Sequence, residues 1–287
     1  MSPLLDASAC HNLLRSFLAE DIGTGDITTE MTVSTSQRGR GEVIAKAPLT
    51  LCGIELFAEV FRLLDCTAAV RIFSHDGEEL APGKIPAQVT ASARALLTGE
   101  RVALNLLQRL SGVATMTRRY VQAIEGTDAE ILDTRKTTPG LRALEKYAVR
   151  IGGGRNHRKD LGEAILIKEN HIRLAGGIAA ALAAAQTAKN RVKWVEIEVT
   201  NLDELGEAIP LQPDVVLLDN MSPPLVRQAV EAVRKHAAPK KIRTEASGGI
   251  TLANVREFAE AGVDWISVGA LTHSAPAVDL SFEIEPE

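Results

Sequence analysis

From residue 129 onward the chain alternates short apolar runs with helical segments, and this alternation constrains its fold more than any other feature. The runs are AEILDT (129–134), EAILIK (163–168), WVEIEV (194–199), DVVLLDN (214–220), KIRTEAS (241–247) and WISVGA (265–270). Stretches of helical periodicity lie between them, near 139–151, 174–189, 202–208, 223–236 and 251–261. Strands that alternate with helices form βαβ units and a parallel sheet, with right-handed crossovers. A closed eight-strand barrel needs about 250 residues. Six strands between 129 and 270 therefore specify an incomplete barrel or an open doubly wound sheet.

The first hundred residues read differently. GEVIAKAP (41–48), TAAVRIF (67–73) and IPAQVTASA (86–94) mix β-branched residues with the turn signals PLTLCG, SHDGEE and APGK. They predict short antiparallel strands, with helices near 8–19 and 54–64. A long helical pattern then runs from Gly99 to Gly126. The tail after Ala270 contains DLSFEIE, one more strand, which returns to the first domain.

Bulk composition narrows the function classes. Hydrophobic residues make up 45% and charged residues 24% of 287 residues, ordinary for a soluble globular protein of one large or two moderate domains. A net charge of −5 argues against nucleic acid and makes any local cluster of cations informative. The three cysteines, Cys10, Cys52 and Cys66, form no CxxC pair and read as reduced thiols of a cytoplasmic protein. The opening MSPLLDASACHNLLRSFLAED lacks a basic start and a long apolar run, so no secretory leader is expected. The Ala-rich piece from Gly177 to Ala185 is too short for a membrane span of about 20 residues.

Each of the six apolar runs ends in polar or glycine chemistry, and α/β sheets build their sites at the C-terminal ends of the strands. The first run ends in Asp133-Thr134 and continues Arg135-Lys136; the second ends in Lys168. A Gly-rich loop between them carries His157 and Arg158. Arginine forks match carboxylates or phosphates, and lysine adds a point charge. Glu198 and Asp219 end neighbouring runs, as oxygen donors suited to Mg2+ beside phosphates or as salt-bridge partners of the basic residues. Glu196 shares the strand face of Glu198, so residue order alone does not rank the two. Ser247-Gly248-Gly249 and, one strand later, Gly269 let backbone N–H groups approach a phosphate.

The stretches EDIGTGDITTE (20–30), LLTGERVALNLLQRLSGVAT (96–115), LDTRKTTPGLRALEKYAVRIGGGRNHR (132–158), LIKENHI (166–172), VEIEVTNLDEL (195–205), VVLLDN (215–220), EASGGI (245–250) and GVDWISVGALTHSAPAVDLS (262–281) resemble the quinolinate phosphoribosyltransferase family. The match covers nearly the whole chain in family order. The resemblance implies an α/β chain of the type II phosphoribosyltransferase fold. An N-terminal α/β sandwich over 1–112, joined by the tail 271–287, is followed by an incomplete barrel over 113–270. It implies joining of quinolinate to phosphoribosyl pyrophosphate (PRPP) with Mg2+, and release of CO2 and pyrophosphate, in de novo NAD biosynthesis. It also implies a homodimer, with a hexamer as a further state, in which Arg101 reaches the partner's site.

By the same resemblance Arg135, His157 and Arg158, with the partner's Arg101, hold quinolinate, and Thr134, Lys136 and Lys168 contact quinolinate or PRPP. Glu198 and Asp219 take the ribose hydroxyls and Mg2+; Ser247, Gly248, Gly249 and Gly269 take the 5-phosphate, assisted by His273. Lys136 is the candidate proton donor to C2 after CO2 leaves. A related group associated with molybdenum transport shares several motifs and is the alternative, with another acceptor. The intact DTRKTTPG, NHR and LIKENH are more similar to the quinolinate enzymes.

Overall fold

The computed structural model describes residues 7–236 and 241–287; residues 1–6, over which part of the leader reading extends, lie outside the described residues. In chain order the elements begin with α1 (Ala7–Ile22), α2 (Ile27–Thr32), β1 (Arg38–Ala45), β2 (Leu49–Thr50), α3 (Ile54–Leu64), β3 (Ala69–Ile72), β4 (Glu79–Leu80), β5 (Ala87–Ser92) and α4 (Ala93–Ala123). They continue with β6 (Glu130–Leu132), α5 (Arg142–Ile151), β7 (Ile165–Ile167), α6 (Glu169–Ala175), α7 (Ile178–Gln186), β8 (Val195–Val199) and α8 (Leu202–Ala208). The last are β9 (Val215–Asp219), α9 (Pro223–Lys235), β10 (Arg243–Ser247), α10 (Val255–Glu260), β11 (Trp265–Ser267), α11 (Ala270–His273) and β12 (Leu280–Pro286). None of the described helices is long and apolar enough to cross a membrane.

The chain divides into two compact units. The first holds residues 1–118, 143–153 and 275–287. Its main sheet has the order β12-β1-β5-β3, with β1 antiparallel to both neighbours. The strand read in the tail thus pairs with β1 from Gly39↔Pro286 to Ala45↔Leu280. Helix α3 buries Ile54, Phe57, Ala58 and Phe61, the i, i+3, i+4, i+7 stripe of a core-facing helix. Phe282 of β12 meets Phe57 and Phe61 at ring-centroid distances of 5.7 and 5.3 Å. Burial of each ring contributes about 1.5–3 kcal/mol. Gly41 clears the space, since a Cβ there would lie 2.1 Å from the Phe282 ring. Asp76 accepts from the N–H groups of Gly53 and Ile54 at the start of α3, and its other oxygen accepts from Tyr147.

The second unit, residues 119–142 and 154–274, carries the six-stranded sheet in the order β6-β11-β10-β9-β8-β7. Every pairing is parallel. From β7 to β11 each strand lies beside its neighbour in sequence, and β11 pairs with β6, the first strand. A sheet whose last strand returns to its first is rolled, which resolves the sequence alternatives in favour of an incomplete barrel. The seam falls between β6 and β7. There Arg155 N donates to Ile131 O at 2.8 Å and Asp133 N to Arg155 O at 3.1 Å, so the Gly-rich loop runs beside β6.

The structure departs from the sequence reading in one helix. The helix read over 174–189 is two helices, α6 and α7, broken at Gly176-Gly177, and α6 begins directly after Lys168. Helix α4 runs unbroken through residues 112 and 113, and the two compact units part within it, after Arg118; residues 143–153, most of α5, group with the first unit. Glu145 of α5 is fully buried there and accepts from Arg109 of α4 at 2.7 Å, a charge pair that keeps α5 with α4.

Candidate active site

Along a strand every second side chain points to the same face. On β8 these are Glu196 and Glu198, while Val195, Ile197 and Val199 on the other face are fully buried. The inward positions of the other strands include Leu166, Leu217, Asp219, Glu245, Ser247 and Ser267. With the loops beyond the strand ends they line a cavity of about 790 Å3, large enough for two small substrates.

One wall of the cavity is cationic. Arg135 and Lys136 follow β6, Lys168 follows β7, and His157 and Arg158 come from the seam loop; all five line the cavity. Thr134 Oγ1 accepts from Lys136 N at 3.0 Å and Thr272 Oγ1 donates to Lys136 O at 2.8 Å, which fixes the turn that presents Lys136. Arg158 is buried and donates to Ala164 O at 2.9 Å. Burial, and then the charge of Arg135, push its pKa below the ordinary arginine value. The Arg135 Nε is buried without a hydrogen-bond partner. Crowded guanidinium groups, one with an orphaned donor, call for an anion with several oxygens.

Beneath that wall lies a sealed floor that sequence reasoning did not assemble. The Asp133 carboxylate accepts from His157 N at 2.9 Å and from the Asn156 side chain at 2.6 Å, which stitches the seam loop to the end of β6. The His157 Nε2 lies 3.0 Å from Glu196 and 3.5 Å from Glu245. All three side chains are at most 7% exposed. Burial alone would strip the histidine of its charge, but the two carboxylates outweigh it and push its pKa up to about 10. Burial, and then the charge of Glu196, push the Glu245 carboxyl above its usual range. Glu196 also accepts from Trp194 Nε1 at 2.9 Å, and Ser267 donates to Glu245.

Beside Lys168 the lining turns acidic. Glu198 pairs with Lys168, and Asp219 accepts from the Asn220 side chain at 2.9 Å. Burial, and then Glu198, raise the Asp219 pKa, so the two carboxylates crowd each other. Ser247, Gly248 and Gly249 complete the rim beside them. Gly248 has φ +92°, and a Cβ there would lie 2.2 Å from Asn220 Oδ1 and 2.9 Å from Asn220 N. Asn220 itself has φ +53°, a left-handed conformation that asparagine tolerates. Gly269 stands beside His273 Nε2 and Lys136 Cδ, each 3.1 Å from where its Cβ would be.

Every barrel residue singled out from the sequence borders one cavity, except Glu196, which lies fully buried behind it. Arg101 does not: it belongs to the first unit, its side chain is 70% exposed, and it pairs with the adjacent Glu100 at 3.3 Å. Asp133, Asn220 and Glu245, which the sequence showed only as polar residues at run ends without a role, also line the cavity; Ser267, inside the last run, carried no such signal.

Fold and site together define a rolled α/β barrel with a cation-lined anion cavity at the C-terminal ends of its strands. The profile of the quinolinate phosphoribosyl transferase C-terminal domain matches residues 113–283, and that of the N-terminal domain matches residues 26–111. The chain belongs to the quinolinate phosphoribosyltransferase family. It is similar to the probable nicotinate-nucleotide pyrophosphorylase (carboxylating) of Bacillus subtilis, with 44% identity over 272 residues, 95% of this chain and 92% of the relative. It is also similar to the nicotinate-nucleotide pyrophosphorylase (carboxylating) of Mycobacterium leprae, with 40% identity over 96% of this chain and 97% of the relative. The solved nicotinate-nucleotide pyrophosphorylase of Francisella tularensis superposes with a TM-score of 0.92 at 40% identity, covering 99% of this chain and 100% of that one.

Proposed function

We propose that this chain joins quinolinate to PRPP, forming nicotinate mononucleotide and releasing pyrophosphate and CO2, a step of de novo NAD biosynthesis. The observation that carries this reading is a single cavity lined by five cationic side chains together with the carboxylates of Glu198 and Asp219.

Quinolinate has two adjacent carboxylates, and a dianion enters a barrel mouth only against matching cations. Arg135, His157, Arg158 and Lys168 supply them, and the orphaned Arg135 Nε gains an acceptor when a carboxylate docks. This fixes the ring nitrogen toward the ribose. Ser247, Gly248, Gly249 and Gly269 receive the 5-phosphate, with His273 beside them. As the bond to pyrophosphate breaks, positive charge builds on the ribose, and Glu198 and Asp219 face it. The ring nitrogen forms the new bond and becomes cationic. The electron pair left at C2 by departing CO2 is held next to that N+ until C2 takes a proton, for which Lys136 is our candidate donor. Rate then comes from positioning and electrostatics without a covalent nucleophile.

The donor set at Glu198 and Asp219 fits Mg2+: hard carboxylate oxygens on adjacent strands, with Asp219 raised by burial and by the Glu198 charge that a cation would offset. Glu198 and Asp219 would hold Mg2+, which would supply charge neutralisation for the leaving pyrophosphate. We read Arg101 as a residue donated to the site of a second copy in a homodimer, supported by its exposed guanidinium on α4. The free thiols of Cys10, Cys52 and Cys66 support a cytoplasmic setting.

The test is an assay of the purified chain with quinolinate, PRPP and Mg2+, following CO2 and nicotinate mononucleotide. Product is expected with quinolinate, and none with nicotinate or without Mg2+. A folded protein that makes no product from quinolinate overturns the reading in favour of relatives with another acceptor. Lys136→Ala should abolish turnover at saturating substrates; normal turnover removes it as proton donor. Arg101→Ala mixed with a barrel-site variant should regain partial activity if sites are shared.

A further inference from the structure

The floor of the barrel holds a set that the mechanism above does not require: the buried Glu196, Glu245 and Ser267 and the half-buried Trp194, on one side of His157. We propose that Glu196, supported by Glu245, is a positioning residue that locks the His157 ring as a fixed imidazolium, so that the diacid is read by a preset charge built into the barrel floor. The inference rests on the reading of the cavity as a quinolinate site, and deepens it by naming what sets the charge that meets the substrate.

The geometry carries the inference. Glu196 is fully buried and lies on the inward face of β8, one inward position deeper than Glu198. Its Oε2 accepts from Trp194 Nε1 at 2.9 Å and lies 3.0 Å from His157 Nε2. The Trp194 N–H can only donate, so this oxygen already has one donor, and the contact from His157 satisfies it best as a second N–H donor. The Trp194 ring also stands edge-on to the His157 ring, at 5.5 Å between centroids and 87° between planes. The backbone N–H of His157 donates to the Asp133 carboxylate, which holds the loop. The ring is therefore clamped by Glu196 and Trp194, which do not line the cavity, together with Glu245 and Asp133, which do. By contrast the rim cation Lys168 is 48% exposed on a flexible stem.

The charged groups around His157 come from every neighbouring element. Glu196 on β8 and Glu245 on β10 favour the imidazolium, and the Asp133 carboxylate after β6 adds to them. Arg135, Arg158 and Lys168, which share the cavity, oppose it. The carboxylates win because they lie at hydrogen-bond range in a buried site, where a contact pair outweighs charges farther off. The raised histidine pKa agrees with that balance.

The experiment uses the full chain labelled with 15N-histidine, read by proton–nitrogen spectra between pH 6 and 9. The His157 signal is identified as the one lost in His157→Gln. In the wild type its ring nitrogens should stay in the doubly protonated form throughout. In Glu196→Gln, which keeps the shape and an acceptor but removes the charge, the ring should become neutral within this range. Its midpoint should fall by on the order of two pH units or more. Kinetically, Glu196→Gln should raise KM for quinolinate at pH 8.5 by about tenfold, restore it toward wild type at pH 6, and leave KM for PRPP within about twofold. Glu196→Asp should recover most of the loss. A wild-type His157 that titrates near its ordinary value overturns the proposal. So does a Glu196→Gln variant that raises both KM values equally at every pH, the mark of a merely structural role. If Glu196→Gln does not fold, Glu245→Gln carries the same measurements with smaller shifts. The spectra need no substrate, so they decide the charge of His157 even if the quinolinate assay fails, and the two failures remain distinguishable.

Discussion

Glu196 and Glu198 sit two residues apart on one face of β8, and they live in different solvents. Glu198 opens on the cavity and pairs with a lysine that is half exposed. Glu196 is sealed under it, between a histidine and a tryptophan. The rim keeps its charges available for a ligand, whereas the floor consumes its charges internally and presents a fixed result. Depth in the barrel, set by one step of the strand pleat, decides which role a glutamate takes.

The contrast can be broken first by stability. Glu196→Ala strips the Trp194 N–H of its acceptor and removes the nearer of the two carboxylates beside the His157 ring; it should cost about 2–5 kcal/mol of unfolding free energy. Glu198→Ala, which removes a partly exposed pair, should cost under about 1 kcal/mol. Urea unfolding measures both, and equal losses would show that floor and rim are one layer. Turnover should rank them the other way. Glu198→Gln or Asp219→Asn should lower kcat by about 10²–10³-fold with an unchanged urea midpoint.

A smaller effect sharpens the rim. Gly248→Ala forces a Cβ against Asn220 at a positive φ, and should raise KM for PRPP and cost about 1–3 kcal/mol. Gly249→Ala, at φ +63° with no atom within 4 Å, should do less in both assays. The mildest expectation concerns pH. Because His157 holds its proton in the folded chain up to about 10, against an ordinary 6.5, the stability from that charge is whole below about 6.5 and is lost as pH rises through about 10. Between pH 8 and 9 the unfolding free energy should fall by about 1 kcal/mol. Glu196→Gln should flatten that slope in urea titrations; an unchanged slope would mean that the floor does not hold the proton.

The barrel was legible because its strands are short apolar runs cut off by polar ends, and a parallel sheet requires that pattern. Its rim was legible for the same reason: Lys168, Asp219 and Ser247 are where the runs stop. The floor was not, because alternation gives the face of Glu196 and Glu245 but not their depth, which depends on how the sheet rolls. The seam loop was read correctly as the carrier of His157 and Arg158, yet nothing in GGGRNHR announces that Arg155 pairs with β6. Helix α6 escaped because ENHIRLA has no buried residue to give it a periodic stripe. The grouping of α5 with the first unit depends on the contact between Arg109 and Glu145, 36 positions apart, which local pattern does not encode.

The pairing of β1 with β12 has a consequence for the order in which the chain comes into being. The Arg40–Glu285 contact joins residues 245 positions apart, and the sheet of the first unit lacks its edge strand until residues 280–286 leave the ribosome. The barrel strands, each beside a sequence neighbour, can associate while synthesis is still under way, apart from β6, whose partner is β11. The N-terminal sheet is thus started first and finished last. A nascent chain stalled before residue 280 displays an unpaired β1 edge, the kind of surface that chaperones shield and that recruits a second copy by strand exchange.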